Sequence, residues 1–143
     1  MADFCVCCTV SLTITADNGF YVYHNGGVVL SGDGVLSTHT LNLVDACVLA
    51  IKATNFVADA GILASTSSGV VTDASWKCSS AAEQTGWQLP GFDDAAWAQA
   101  TVVAPNDGSV WPSVAAGFNP AAQWIWTQDV SNDNVIYCRK TLC

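Results

Sequence analysis

Cysteine is the residue type whose number and placement offer the most chemistry in this sequence. Seven cysteines occur in 143 residues, which is typical of proteins from oxidising compartments. Because seven is an odd number, at least one thiol is free, binds a metal or pairs with another chain. The sequence therefore predicts a disulfide-containing extracellular or cell-surface protein without fixing the connectivity. The candidate disulfide residues are Cys5, Cys7, Cys8, Cys47, Cys78, Cys138 and Cys143.

The cysteines near the two chain ends allow two interpretations. Cys5 and Cys7 would lie on one face of a strand about 7 Å apart, where a soft metal would still need ligands from elsewhere. We therefore favour disulfides over a metal. Chain ends lie at the surface, so Cys5, Cys7 and Cys143 could link subunits. Equally, an internal bridge could join the first and last strands.

No pattern of catalytic residues is present. The only histidines are His24 and His39, and neither lies in a catalytic signature. Asp93 and Asp94 are adjacent, so their carboxylates would point in different directions. They are better interpreted as the cap of a short helical turn from Asp93 to Trp97. We therefore predict a protein that is not an enzyme.

The charge content excludes several classes of partner. Four basic residues stand against twelve acidic ones, giving a net charge of −8, which disfavours binding to nucleic acid or to an anionic membrane. No stretch is long and apolar enough to span a membrane. Only 11% of residues are charged, while 51% are hydrophobic. This indicates a surface buried against copies of the chain, or alternatively one coated with Ser, Thr and Asn.

The first fourteen residues alternate between apolar and polar side chains almost without a break. This period of two predicts a β-strand with one buried face, and its length of roughly 40 Å exceeds the sheet of such a small domain. We therefore expect residues 1–14 to form an extended strand that a neighbouring subunit shares. The side chains expected at that subunit interface are Phe4, Val6, Cys8, Val10 and Leu12.

Residues 15–143 are predicted to form one all-β domain. Valine and threonine are abundant, and Gly, Asn, Asp and Ser mark turns at the spacing typical of a sandwich. The pair Asn25-Gly26 predicts a tight hairpin. The expected fold is an antiparallel β-sandwich of jelly-roll type, with the extended amino-terminal strand and one short helical turn.

Three segments resemble galactose-binding-like jelly-roll domains of the sugar-module type. They are Thr15–Gly26 (TADNGFYVYHNG), Trp87–Trp97 (WQLPGFDDAAW) and the closing pair Trp124–Trp126 with Tyr137–Leu142. Ala95 stands where the family usually has serine, and the cysteine-rich first strand is outside the family pattern. The resemblance implies an extracellular accessory or adhesive β-sandwich that in some members binds sugar.

The resemblance also implies roles for individual residues. Trp76, Phe92 and Trp97 are expected in the core rather than at a ligand. A structural calcium ion is frequent in such domains, and Asp17 and Asn18 offer it hard oxygen ligands at a turn. No other cofactor is expected.

Two functions follow as hypotheses. The first is a structural, self-assembling extracellular subunit, a filament or fibre joined head-to-tail by addition of the amino-terminal strand and by intermolecular disulfides. The alternative is a lectin-like carbohydrate-binding module. Its binding residues would be Trp87, Trp111, Asn106 and Asp107, because these lie in the irregular, proline-rich region where exposed side chains are expected. The expected partners are thus other copies of the chain, or glycans.

Overall fold

Two antiparallel sheets pack face to face in the computed structural model, which describes residues 7–32, 37–56, 58–111 and 117–142. Phe4, Cys5, Val6 and Cys143 lie outside these ranges. No helix occurs in the described ranges, and the prediction of an all-β sandwich is confirmed.

The strands divide between two sheets of five and six members. Sheet A has the order β4-β1-β6-β10-β9 and sheet B the order β3-β2-β5-β11-β7-β8. Sheet A is built from β1 (Cys8–Asp17), β4 (His39–Ala46), β6 (Gly61–Thr66), β9 (Thr101–Pro105) and β10 (Gln123–Trp126). Sheet B is built from β2 (Gly19–His24), β3 (Gly27–Gly32), β5 (Val48–Thr54), β7 (Lys77–Ser79), β8 (Ala98–Gln99) and β11 (Val135–Thr141).

The main core lies between the sheets and follows from the alternation in each strand. Leu12 and Ile14 of β1 are fully buried and pack with Ile51 of β5 and Ile125 of β10. Successive side chains of a strand point to opposite faces. The inward set is therefore apolar, and the outward set is left to contact the loops or solvent.

The hairpin predicted at Asn25-Gly26 joins β2 to β3. Asn25 has a φ of 51° and Gly26 a φ of 85°. A two-residue turn with positive φ at both positions matches the twist of the flanking strands, and Asn-Gly tolerates it best. This prediction is confirmed.

The first strand lies within the chain's own sheet from Cys8 onward. β1 pairs with β4 from Cys8 to Ile14 and with β6 from Leu12 to Asp17, so it lies between two strands of its own sheet. Val10 and Leu12 are 3% and 0% exposed in the chain's own core. In the described part of the chain, the strand that we expected a neighbour to share is therefore an internal one.

The short helical turn predicted at Asp93–Trp97 is not a helix. The Asp93 carboxylate accepts a hydrogen bond from the Ala95 amide at 3.0 Å, and the Trp97 amide donates to the Asp94 carbonyl at 2.9 Å. These bonds close a tight turn. The Asp94 side chain is held by Arg139 of β11, and β8 starts directly after Trp97.

Two disulfides join described residues. Cys7 bonds to Cys47, which ties the start of β1 to the segment between β4 and β5. Cys78 bonds to Cys138, its direct opposite in the neighbouring strands β7 and β11. Cys8 is disulfide-bonded as well. The prediction of disulfides is confirmed, but Cys7 forms its bond within the chain and not across a joint between subunits.

None of the described residues belongs to a helix that is long and apolar enough to cross a membrane.

Candidate functional site

The segment 80–97, between β7 and β8, covers part of the outer face of sheet B. Ala50 of β5 and Tyr137 of β11 point away from the central core and meet this segment. Trp87 and Trp97 pack on them and are 1% and 8% exposed. They form a second apolar cluster outside the sandwich, which fixes the segment in place.

Arg139 of β11 is the polar anchor of the same segment. Its guanidinium donates to the backbone carbonyls of Trp87, Leu89 and Phe92 at 3.0, 2.7 and 3.2 Å. It also forms an ion pair with Asp94. Because Arg139 is only 3% exposed, these partners replace the water that the cation loses. The loop conformation therefore depends on one side chain of the sheet.

The rings of this cluster make both edge-to-face and stacked contacts. Trp87 contacts Tyr23 and Tyr137, each with ring centroids 5.1 Å apart, and stacks on Trp97 at 6.4 Å. The Trp87 indole N–H donates to the Glu83 carboxylate at 3.0 Å. Burial raises the pKa of the Tyr23 phenol above its ordinary value, and the nearby Glu83 charge raises it further.

A cleft of about 500 Å³ opens beside the cluster, where segment 80–97 meets the connection between β10 and β11. We call it the Trp97 cleft. Among the residues that line it are Ser79, Gln84, Trp97, Gln128, Asp129 and Asp133. Cys78 also lines it, so the buried Cys78–Cys138 disulfide stiffens one wall.

Polar side chains in the Trp97 cleft are positioned by hydrogen bonds to their neighbours and can still accept further hydrogen bonds. Gln84 accepts the Trp97 indole N–H at 3.3 Å. The Asp129 carboxylate accepts both bonds of the Asn132 amide, at 3.0 and 3.1 Å, while Asp133 accepts the Thr127 hydroxyl. A carboxylate offers about four lone pairs, so each can accept further bonds. The cleft thus joins small apolar side chains and the edge of the largely buried Trp97 indole with acceptors suited to hydroxyl groups.

The segment that follows β9 and includes Trp111 lies against sheet A. Trp111 donates its indole N–H to the buried Asp17 carboxylate at 2.9 Å and stacks on Trp124 at 4.1 Å between centroids. Gly61 makes this possible, because a Cβ there would lie 2.9 Å from both rings. This arrangement builds the fold and leaves no ring for a ligand.

Two of the predicted carbohydrate-binding residues are not exposed as expected. Trp87 is 1% and Trp111 5% exposed, so neither ring offers a surface to a sugar, and that part of the prediction is wrong. Both lie in irregular segments, but each segment folds back onto a sheet and buries its tryptophan. Trp76 and Trp97, predicted in the core, are 0% and 8% exposed.

Asn106 and Asp107 lie in the loop after β9, away from the Trp97 cleft's lining. Asp107 is exposed and accepts a hydrogen bond from the Ser109 amide at 2.9 Å. Hydrogen bonds from Ser109 lower the pKa of the Asp107 carboxyl below its ordinary value. The carboxylate thus serves a local turn.

The two residues proposed for calcium both accept hydrogen bonds within the fold, and calcium binding there stays a prediction. The Asp17 carboxylate accepts the Trp111 indole N–H, and the Asn18 side-chain oxygen accepts the Phe56 amide at 2.8 Å. Within the described ranges, no group of three or more His, Cys, Asp or Glu side chains could hold a metal ion. In the described structure, Asp17 and Asn18 join loops to the start of β2.

The predicted subunit-interface residues divide into two groups. Val10 and Leu12 belong to the chain's own core, and Cys8 packs against that core while partly exposed. Phe4 and Val6 lie outside the described residues. Addition of the segment before Cys8 to a neighbour stays a prediction.

No protein-family model, no curated protein and no solved structure matches this chain. Its function must therefore be argued from the site itself.

Most residues of the Trp97 cleft could not be predicted from the sequence. Gln84, Gln128 and Asp129 come from two segments more than forty residues apart and follow no motif spacing. One signal in the sequence is the cluster of polar residues in each of the two segments. A second was Trp97 beside the predicted turn, which we assigned to the core alone.

Proposed function

We propose that this chain is an extracellular carbohydrate-binding module and that the Trp97 cleft is its binding site. The observation that carries the proposal is a cleft of about 500 Å³ in which amide and carboxylate acceptors face small apolar side chains and the exposed edge of Trp97. Small-molecule sites are typically concave, with volumes of about 300–1,000 Å³ and a few well-placed polar groups. Sugars present both apolar ring faces and hydroxyl donors, so they suit such a lining.

The negative charge of the chain and of the cleft favours neutral glycans over anionic ones. The chain carries a net charge of −8, and Asp129 and Asp133 both line the cleft. An anionic sugar would meet like charges there, whereas neutral sugar hydroxyls would donate to the same oxygens. We therefore propose a neutral glycan. The disulfides support an extracellular setting, and the resemblance to sugar-module jelly rolls points the same way.

A glycan array followed by calorimetric titration of the best neutral ligand tests the proposal. Gln128→Ala and Asp129→Ala each remove one hydrogen-bonding side chain from the cleft. Each is expected to weaken binding about 10- to 100-fold, because a bond involving a charged or well-placed polar group contributes about 1.5–3 kcal/mol. The matched controls are Asn106→Ala and Asp107→Ala, which alter the other candidate loop.

Three results would contradict the proposal. The first is that no glycan binds, and the second is that the two loop controls weaken binding as much as the cleft variants. The third is release of hydrolysis products from the bound glycan, which would mean an enzyme instead of a binding module.

Self-assembly is the second candidate function, and the β3 strand favours it. β3 is an edge strand of sheet B with the sequence GVVLSG, which contains no charged residue or proline. Val28 and Val29 are 52% and 43% exposed. Apolar edges of this kind pair with other chains. In a chain of net charge −8, a neutral edge is also where a second copy meets least repulsion.

Sedimentation velocity over a concentration series, with electron microscopy in the presence and absence of reductant, tests assembly. Val29→Lys should shift the chain toward monomer, whereas Val102→Lys, on the edge strand β9 of sheet A, should not. A wild-type chain that is monomeric at every concentration would exclude this function for the isolated chain.

A further inference from the structure

A row of side chains crosses the outer face of sheet B and begins at the Trp97 cleft. Direct cross-strand pairing places Ser79, Tyr137, Lys52, Tyr21 and Ser31 side by side on five adjacent strands. Ser79 also lines the cleft. Adjacent strands are about 4.8 Å apart, so the row extends about 19 Å from the cleft to β3. We call it the Tyr21 row.

The centre of the Tyr21 row is a cation between two aromatic rings. The Lys52 ammonium lies 5.9 Å from the centroid of the Tyr21 ring and 5.8 Å from that of Tyr137. These contacts hold the lysine across the face of the sheet. Tyr21 is 41% exposed, which leaves much of its surface free, whereas Tyr137 is only 7% exposed because Trp87 packs against its ring.

These properties match an extended sugar chain better than a single sugar. An exposed tyrosine ring can pack on the apolar face of a sugar, and an ammonium group offers three donors to hydroxyl oxygens. Ser79 at the cleft and the exposed Tyr21 ring are three strand spacings apart, about 14 Å, which is longer than a single sugar ring, so a ligand that reaches both must be a chain. No acidic side chain stands in the row itself.

We infer that the ligand of the Trp97 cleft is a linear, neutral oligosaccharide whose chain continues from the cleft along the Tyr21 row, perpendicular to the strands. This inference rests on the proposed function of the cleft. It adds a second binding region, with Tyr21 as the ring that packs on the sugar and Lys52 as the hydrogen-bond donor. It also makes chain length the property that the module recognises.

Calorimetric titration with oligosaccharides of two to six units tests the inference. The probes are β-1,4-linked gluco-, manno- and xylo-oligosaccharides. For the series that binds, affinity should rise at least about tenfold from two to six units, because the longer chain reaches additional contacts. Tyr21→Ala and Lys52→Ala should remove most of this gain while leaving the affinity for the disaccharide within about twofold.

Val135→Ala is the matched control, since Val135 is 41% exposed on the same face but lies outside the row. It should leave the whole length series unchanged. Two results would overturn the inference and leave the cleft proposal intact. The first is a disaccharide affinity that does not increase for longer chains. The second is an equal loss of affinity for Val135→Ala and Tyr21→Ala. Absence of binding by every member of the three series would overturn the inference, and only a negative glycan array would remove the cleft proposal as well.

Discussion

Replacing Arg139 by methionine should destabilise the protein by about 4 kcal/mol. The guanidinium satisfies three backbone carbonyls of segment 80–97, those of Trp87, Leu89 and Phe92. Each carbonyl that loses its donor costs about 1 kcal/mol. The ion pair with Asp94 adds about 1 kcal/mol, because the Asp94 side chain is 28% exposed and solvent screens the pair. Methionine keeps the apolar stem, so the cost comes from the lost polar contacts.

Urea unfolding followed by tryptophan fluorescence measures this loss, and amide hydrogen exchange locates it. The free energy of unfolding should fall by about 4 kcal/mol, and exchange should accelerate in residues 87–94. Lys140→Met is the matched control. Lys140 is the cation next to Arg139 in β11, and its ammonium donates a side-chain hydrogen bond to Ser75. It should change stability by no more than about 0.5 kcal/mol. A loss below about 1 kcal/mol for Arg139→Met, with unchanged exchange, would refute the assigned role of the guanidinium.

Three further outcomes are expected. The double variant Cys78→Ala/Cys138→Ala should lose about 4 kcal/mol in urea unfolding, since the bridge spans a separation of 60 residues; an unchanged midpoint would contradict this. Gly61→Ala should cost about 1–3 kcal/mol, because its Cβ would press on two stacked tryptophans, and a neutral result would mean that the rings move freely. Tyr23 should ionise at higher pH than an ordinary tyrosine in an ultraviolet titration, because burial raises its pKa. The contribution of Tyr23 to the free energy of unfolding is complete below the unfolded pKa of about 10 and is lost as pH rises through the pKa of the folded state. Tyr23→Phe should remove that part of the alkaline loss.

The alternation of side chains made most of the sheet structure predictable. The pattern at Val10, Leu12 and Ile14 gave the buried face of β1, and Asn25-Gly26 gave the hairpin. A period of two and a turn type are local properties, so sequence reasoning reaches them.

What lies on the outer faces of the sheets was less predictable. Trp87 and Trp111 are in irregular segments, which usually indicates exposure, but Arg139 and Asp17 draw those segments onto the sheets. These contacts join residues 52 and 94 positions apart in the sequence. The same long-range folding assembles the Trp97 cleft, so no local motif announces it.

The helical turn was mispredicted for a related reason. Asp93 does accept a hydrogen bond at the start of the segment, as a cap would. The ion pair of Asp94 with a distant strand, and the early start of β8, leave only a single turn. Tertiary contacts here decide between two local structures of similar free energy.

Amide chemical-shift mapping with the best neutral glycan tests the central claim most directly. The protein would be labelled with nitrogen-15 and titrated with the glycan, and the perturbed amides assigned. Binding in the Trp97 cleft predicts the largest shifts at Ser79, Gln84, Trp97 and residues 127–133, with small shifts in the loop at Asn106 and Asp107. Shifts concentrated at Asn106 and Asp107, or no shifts at saturating glycan, would contradict the account.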